Sequence, residues 1–190
     1  MTVLPETEVL VWDLLVRVFH WSLVVFFGLS YLTGGELDWL HEWSGYAIVV
    51  LIGVRIVWGF VGSRHARFSD FVTRPAAIKG YLLALKAGNP KHYLGHNPAG
   101  GLMIICLLLG LAFMAFTGML LAGFDGNGPL VESTLMAWEF LPIKDLHEIM
   151  ASLLILAIGV HVAAVLLSSY LHGENLIRAM LNGKKQRRVP

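Results

Sequence analysis

The sequence predicts an all-α integral membrane protein, a four-helix bundle with both termini cytoplasmic. Three observations lead there. The chain has 190 residues, 56% of them hydrophobic and 14% charged, and its mean hydropathy of +0.68 is far from that of a soluble domain. Four apolar segments are long enough to cross about 30 Å of hydrocarbon. The basic residues gather in one long connection and in the C-terminal tail, which sets orientation. At this length residues 1–190 read as a single transmembrane domain with no separate soluble module, so any catalytic module is a partner.

The first span covers residues 11–32 and carries Asp13 and Arg17. Acidic Glu6 and Glu8 precede it and no small-residue cleavage site follows, so it reads as a retained span rather than a signal peptide. The second, 39–61, carries Glu42 and Arg55. The connection 63–97 then holds Arg64, Arg67, Arg74, Lys79, Lys86 and Lys91. Within it Pro75 to Ala87 reads as a short amphipathic helix on the membrane surface, ended by Gly88-Asn89-Pro90. The third and fourth spans, 100–124 and 149–171, contain no Asp, Glu, Lys or Arg.

The tail adds Arg178, Lys184, Lys185, Arg187 and Arg188, and reads as a contact with an anionic leaflet, nucleic acid being improbable for so apolar a chain. Connections 33–38 and 125–145 contain Glu36, Asp38, Asp125, Glu132, Glu139 and Asp145 against Lys144 alone. Loop 63–97 is therefore expected in the cytoplasm with both termini. The single cysteine, Cys106, lies in an apolar run and reads as a packing residue; one cysteine supports no disulfide framework, cysteine-held cluster or CxxCH haem attachment.

Four histidines, His20, His41, His147 and His161, lie in or beside these spans. An imidazole in hydrocarbon is costly unless it is bound or hydrogen-bonded. His147 and His161 are fourteen residues apart, about 1400° of helical rotation and about 21 Å of rise, so they share one face at two depths. His41 opens the second span and His147 immediately precedes the fourth, near the outer surface. His20 lies roughly 20 Å along the first span from its outer end, matching the depth of His161. The expected pairs are His41 with His147 outside and His20 with His161 inside.

Two neutral imidazoles on facing helices, without carboxylate or thiolate neighbours at their depth, suit haem iron, whereas zinc calls for third and fourth ligands. Ala151, Ala157, Ala164 and Ser168 lie near the two histidines of the fourth span and leave room for a macrocycle, although small residues also promote helix packing. Gly45, one turn after His41, has the same two readings. Arg17 lies on the face of His20, and Arg55 lies fourteen residues beyond His41. Both are assigned to the propionates of the inner haem, snorkelling to lipid phosphate being the alternative.

At this point Arg17-Val18-Phe19-His20-Trp21, Leu40-His41-Glu42-Trp43-Ser44-Gly45, Gly95-His96-Asn97-Pro98 and the stretch from Leu146-His147-Glu148 through Gly159-Val160-His161 to the basic tail carry a resemblance. Over nearly its whole length the chain resembles the bacterial di-haem cytochrome b561 family and, more distantly, the b-type cytochrome subunits of nickel–iron hydrogenases and formate dehydrogenases. The resemblance implies two b haems ligated by four such histidines in the bacterial inner membrane.

Closed bis-histidine iron has no vacant position for oxygen or substrate, so its natural role is outer-sphere electron transfer. The expected function is electron transfer across the membrane between the quinone pool and a redox partner such as a periplasmic c-type cytochrome. Two alternatives are a quinone-linked oxidoreductase oxidising superoxide at the outer haem, with Lys144 attracting the anion, and a non-redox scaffold or transporter subunit. His65, His92 and His96 read as solvated loop histidines. The minority expectation is that His96, or Asp13 with Arg17, lines an inner quinone pocket. A homodimer is the expectation for so small a bundle.

Overall fold

The computed structural model describes residues 7–35 and 38–187, so Glu6, Glu36 and Arg188, invoked above for the charge pattern, lie outside the described residues. Four long helices dominate: α1 (Leu14–Thr33), α2 (Asp38–Val61), α5 (Pro98–Phe124) and α6 (Ile143–His172). They have 20, 24, 27 and 30 residues, each sufficient to cross hydrocarbon. The chain is thus an all-α, multi-pass membrane four-helix bundle. Short helices α3 (Phe68–Phe71) and α4 (Pro75–Lys86) occupy the long connection, and α7 (Leu176–Asn182) follows α6.

Two helix starts and one added element differ from the sequence reading. The first span was expected from residue 11, but α1 begins at Leu14 because the amides of Val11 and Trp12 donate to the Gly183 carbonyl at 2.8 and 3.0 Å. The fourth begins at Ile143, directly after Pro142, so His147 lies within α6 rather than before it. An antiparallel ribbon joins β1 (Thr7–Leu10) to β2 (Lys184–Arg187), pairing Leu10 with Lys184. The amphipathic helix is found as α4, with Pro75 in its first turn and Gly88 at φ +73° just beyond its end.

The chain forms two compact units. The first comprises residues 1–19, 55–105 and 159–190. Its core is Val11, Trp12, Val16, Ala66 and Ala179, with Val9, Trp58 and Met180 packed against it. Asp13 explains the charge that stood out in the first span: it caps α1, accepting from the Val16 amide at 2.9 Å through Oδ1 and from Trp58 Nε1 at 3.0 Å and the Ser63 hydroxyl through Oδ2. A second polar tie is centred on buried Glu174, which meets His92 Nε2 at 2.8 Å and Lys185 Nζ at 3.2 Å. Lys185 also donates to the Tyr93 carbonyl at 3.0 Å. Two expectations are corrected here. Lys185 is buried rather than presented to lipid, and His92 is paired rather than solvated, because each satisfies a carboxylate that would otherwise be stranded.

The second unit comprises residues 20–54 and 106–158. Ile48 and Ile52 of α2, Leu111 of α5 and Leu154 of α6 form its core, with Leu23, Phe26 and Phe27 of α1 against them. Every long helix contributes to this cluster. Val24, Val25, Val50, Leu109 and Leu156 are exposed, as suits helices whose solvent is hydrocarbon. Cys106, read above as a packing residue, is exposed as well.

Burial pushes the Asp13 carboxyl up, but the hydrogen bonds from Ser63, Val16 and Trp58 together outweigh it and hold the group below the usual aspartate value. Its contribution to stability is therefore complete above the unfolded value of about 4 and is lost as pH falls through the lower folded value. Asp13→Ala is expected to cost about 1–3 kcal/mol at neutral pH. Thermal melts in one detergent should show the variant converging with wild type only in acid.

Candidate functional site

In the second unit the His41 and His147 rings lie 6.1 Å apart, centroid to centroid, with their planes inclined at 69°. His41 stands in the first turn of α2, and its Nδ1 lies 2.8 Å from the Ser30 carbonyl oxygen of α1. A carbonyl only accepts, so Nδ1 carries the proton and Nε2 keeps a lone pair. Thr117 does the same for His147. Its hydroxyl donates within α5 to the carbonyls of Phe113 and Met114, each at 3.0 Å, and its oxygen accepts from His147 Nδ1 at 2.8 Å. Thr117 is 2% exposed and cannot turn to water instead. Both imidazoles are thus fixed in the tautomer that offers Nε2 to a metal, the second hydrogen bond being the usual support of a ligating histidine.

Two glycines stand near the pair, Gly45 one turn after His41 and Gly118 against the His147 ring. Half-buried Gly45 has open space where a Cβ would stand, and a Cβ at Gly118 would come 3.3 Å from the His147 ring. Among the described residues no group of three or more His, Cys, Asp or Glu side chains is placed to share a metal ion. Two imidazoles alone suit six-coordinate haem iron better than zinc, which calls for third and fourth ligands.

His161 stands on the α6 segment of the first unit and His20 on the α1 segment of the second. Arg55, on the α2 segment of the first unit, is 3% exposed. Its Nη2 donates to the Ala66 carbonyl at 3.0 Å, and its guanidinium lies over Phe68 and Phe71 at 5.2 and 5.8 Å from their centroids. Its Nη1 is buried without a hydrogen-bond partner among the described residues. A guanidinium held this way fits an anionic oxygen ligand such as a haem propionate. Arg17 is committed differently: its Nη1 donates to the Leu181 carbonyl at 2.6 Å, near the end of α7.

His96 departs furthest from expectation. Read as a loop histidine in solvent, it has its ring 4.5 Å from Trp12 and 5.0 Å from Phe71. Burial, then the nearby charges of Arg55, Lys185, His65 and His161, push its pKa down to about 3, so it is neutral at physiological pH. His65 pairs with Asp70 at 2.9 Å.

Over residues 11–183 the chain matches the family model described as prokaryotic cytochrome b561. The chain belongs to that family. As a cytochrome b561 it is a membrane b-type cytochrome of electron transfer, and the cofactor of such a protein is haem b. A relative in Azotobacter vinelandii, named as a probable Ni/Fe-hydrogenase B-type cytochrome subunit, is 27% identical over 94% of this chain and 88% of its own. One of the same name in Rhodobacter capsulatus is 27% identical over 95% of this chain and 82% of its own. In Escherichia coli K12 a probable Ni/Fe-hydrogenase 1 B-type cytochrome subunit is 25% identical over 88% of this chain and 86% of its own. No solved structure matches the chain.

Ser30 and Thr117, the hydrogen-bond partners of His41 and His147 in this cytochrome b561, are residues that the sequence did not single out. A threonine within an otherwise apolar span was the available signal at Thr117. Nothing local marks Ser30, which contributes its backbone carbonyl.

Proposed function

We propose that the protein holds two b haems and moves electrons across a bacterial inner membrane between the quinone pool and a separate redox protein. His41 and His147 would hold the iron of the outer haem. His20 and His161, on the strength of their positions along α1 and α6, would hold that of the inner one, with Arg55 on its propionates. The observation that carries the reading is the pair of Nδ1 hydrogen bonds, His41 to Ser30 and His147 to Thr117, which leave both Nε2 atoms available.

Haem iron with two imidazole ligands supplies one-electron exchange between ferrous and ferric states without an open coordination position. The chain's own residues hold the His41 and His147 rings in one tautomer and would neutralise a propionate with a buried guanidinium. The relatives' naming as hydrogenase cytochrome subunits supports a separate redox subunit as partner. The basic 63–97 connection supports placing both termini in the cytoplasm.

The test is anaerobic mixing of the purified protein with a short-chain quinol, followed by visible spectra. Haem reduction by quinol in wild type, lost in His161→Ala, is the expected result. Reduction by superoxide but not by quinol would favour the superoxide-oxidising reading and overturn this one.

A further inference from the structure

On the reading above, in which His161 ligates the inner haem, we infer that His96 and Arg55 form one carboxylate site for that haem, His96 Nδ1–H and Arg55 Nη1–H donating to a propionate.

Both nitrogens are shut off from solvent and have no hydrogen-bond partner among the described residues. A buried unpaired donor costs about 1–3 kcal/mol, so two in one neighbourhood call for a common acceptor. They do share a neighbourhood: Phe71, 1% exposed, touches the His96 ring at 5.0 Å and the Arg55 guanidinium at 5.8 Å. The other basic groups whose charge reaches His96 through this unit include His65 and Lys185. His65 is taken by Asp70, and Lys185 by Glu174 and the Tyr93 carbonyl. Arg55 Nη1 and His96 Nδ1 are therefore the nitrogens still without a partner.

The charge balance leads the same way. The groups that act on His96 are Arg55, Lys185, His65 and His161, all cationic or able to become so; the nearby carboxylates are already engaged, Asp70 by His65, Glu174 by Lys185 and Asp13 by Ser63 and Trp58. Lipid phosphate is a poor candidate, because a guanidinium 3% exposed and a ring packed on Trp12 cannot snorkel. The ring is also held in place. Gly95, beside it, is so close to His65 that a Cβ there would lie 2.8 Å from Nδ1 of that residue, and on the other side Asn97 accepts from the Gly100 amide at 2.7 Å to start α5. The ring is held between Trp12 and Phe71, and a neutral imidazole with its proton on Nδ1 can donate from that position.

The experiment uses full-length, haem-loaded, quinone-free protein in a His147→Ala background, so that only the inner haem titrates, with His96→Gln and His96→Leu compared. Losing the donor leaves more negative charge beside the iron and favours the ferric form. His96→Leu is expected to lower the midpoint potential by about 59 mV, the equivalent of a tenfold shift in a one-electron equilibrium. His96→Gln, which retains an N–H, is expected to move it less. Redox-difference infrared spectra with haem labelled with ¹³C at the propionates should show the labelled carboxylate bands moving in both variants.

Unchanged potential and unmoved labelled bands, with haem bound, would overturn the inference. A change seen only after quinone is added would also overturn it, giving His96 to a quinone carbonyl. If the leucine variant does not fold, the glutamine variant decides through the labelled bands alone. Absence of an inner haem from the histidine-intact protein would instead defeat the underlying di-haem reading.

Discussion

His147→Ala is expected to leave a chain that binds one haem where wild type binds two, halving the reduced-minus-oxidised α-band per chain. The effect is large because nothing nearby can replace the ligand. Among the described residues no third His, Cys, Asp or Glu joins His41 and His147 at a metal-binding distance. His41 and its Ser30 anchor remain, so one of the two proposed ligands survives. Thr117→Val is the informative companion. It removes the acceptor that fixes the His147 tautomer while keeping the volume, and losses of this kind cost about 10–100-fold in metal affinity. The valine protein should therefore bind both haems when purified and release one on dilution or mild heating. If His147→Ala retained two haems with unaltered spectra, the ligand assignment would be wrong.

Gly101→Ala is expected to destabilise the protein by about 3 kcal/mol or more. Alanine in a helix is ordinarily better than glycine by up to about 1 kcal/mol, so a loss would reverse the intrinsic preference. The reason is contact with backbone: a Cβ at Gly101 would stand 2.3 Å from the Phe71 carbonyl oxygen, and no rotamer change relieves that. Phe71 is itself 1% exposed and packs on His96 and Arg55, so displacing it disturbs the proposed inner-haem carboxylate site as well. Gly53→Ala serves as the control, because its Cβ would meet nothing within 4 Å. Thermal midpoints in one detergent should fall for the first substitution and hold or rise for the second.

Spans, their count and the approach of His41 to His147 were legible in the sequence because each follows from a one-dimensional regularity. Apolar runs of bilayer length announce helices, and a fourteen-residue spacing announces a shared face whatever the surroundings. The polar ties were not legible. Glu174 reaches His92 across 82 positions and Asp13 reaches Ser63 across 50, and no periodicity marks either pair. The same holds for the ribbon that joins residues 7–10 to 184–187. Its strands have four residues each, too short to alternate convincingly, and their pairing depends on the two chain ends meeting.

His96 was misread for a related reason. Pro90, Gly95 and Pro98 mark irregular backbone around it, which fixes a loop but not its exposure. Trp12 and Phe71, brought in from distant segments, cover the ring instead. At His147 the histidine itself was legible and its boundary was not: the helix starts at Ile143, where Pro142 permits it, and so carries His147 inside its own hydrogen-bonded ladder.

The most direct measurement is a haem count, by pyridine haemochrome against quantitative amino-acid analysis, on the purified wild-type chain, with a redox titration followed at the α-band. Two b haems per chain, titrating as two one-electron components, is the expected result. A colourless protein, or a single haem per chain titrating as one component, would contradict the two-site arrangement of His41 with His147 and His20 with His161.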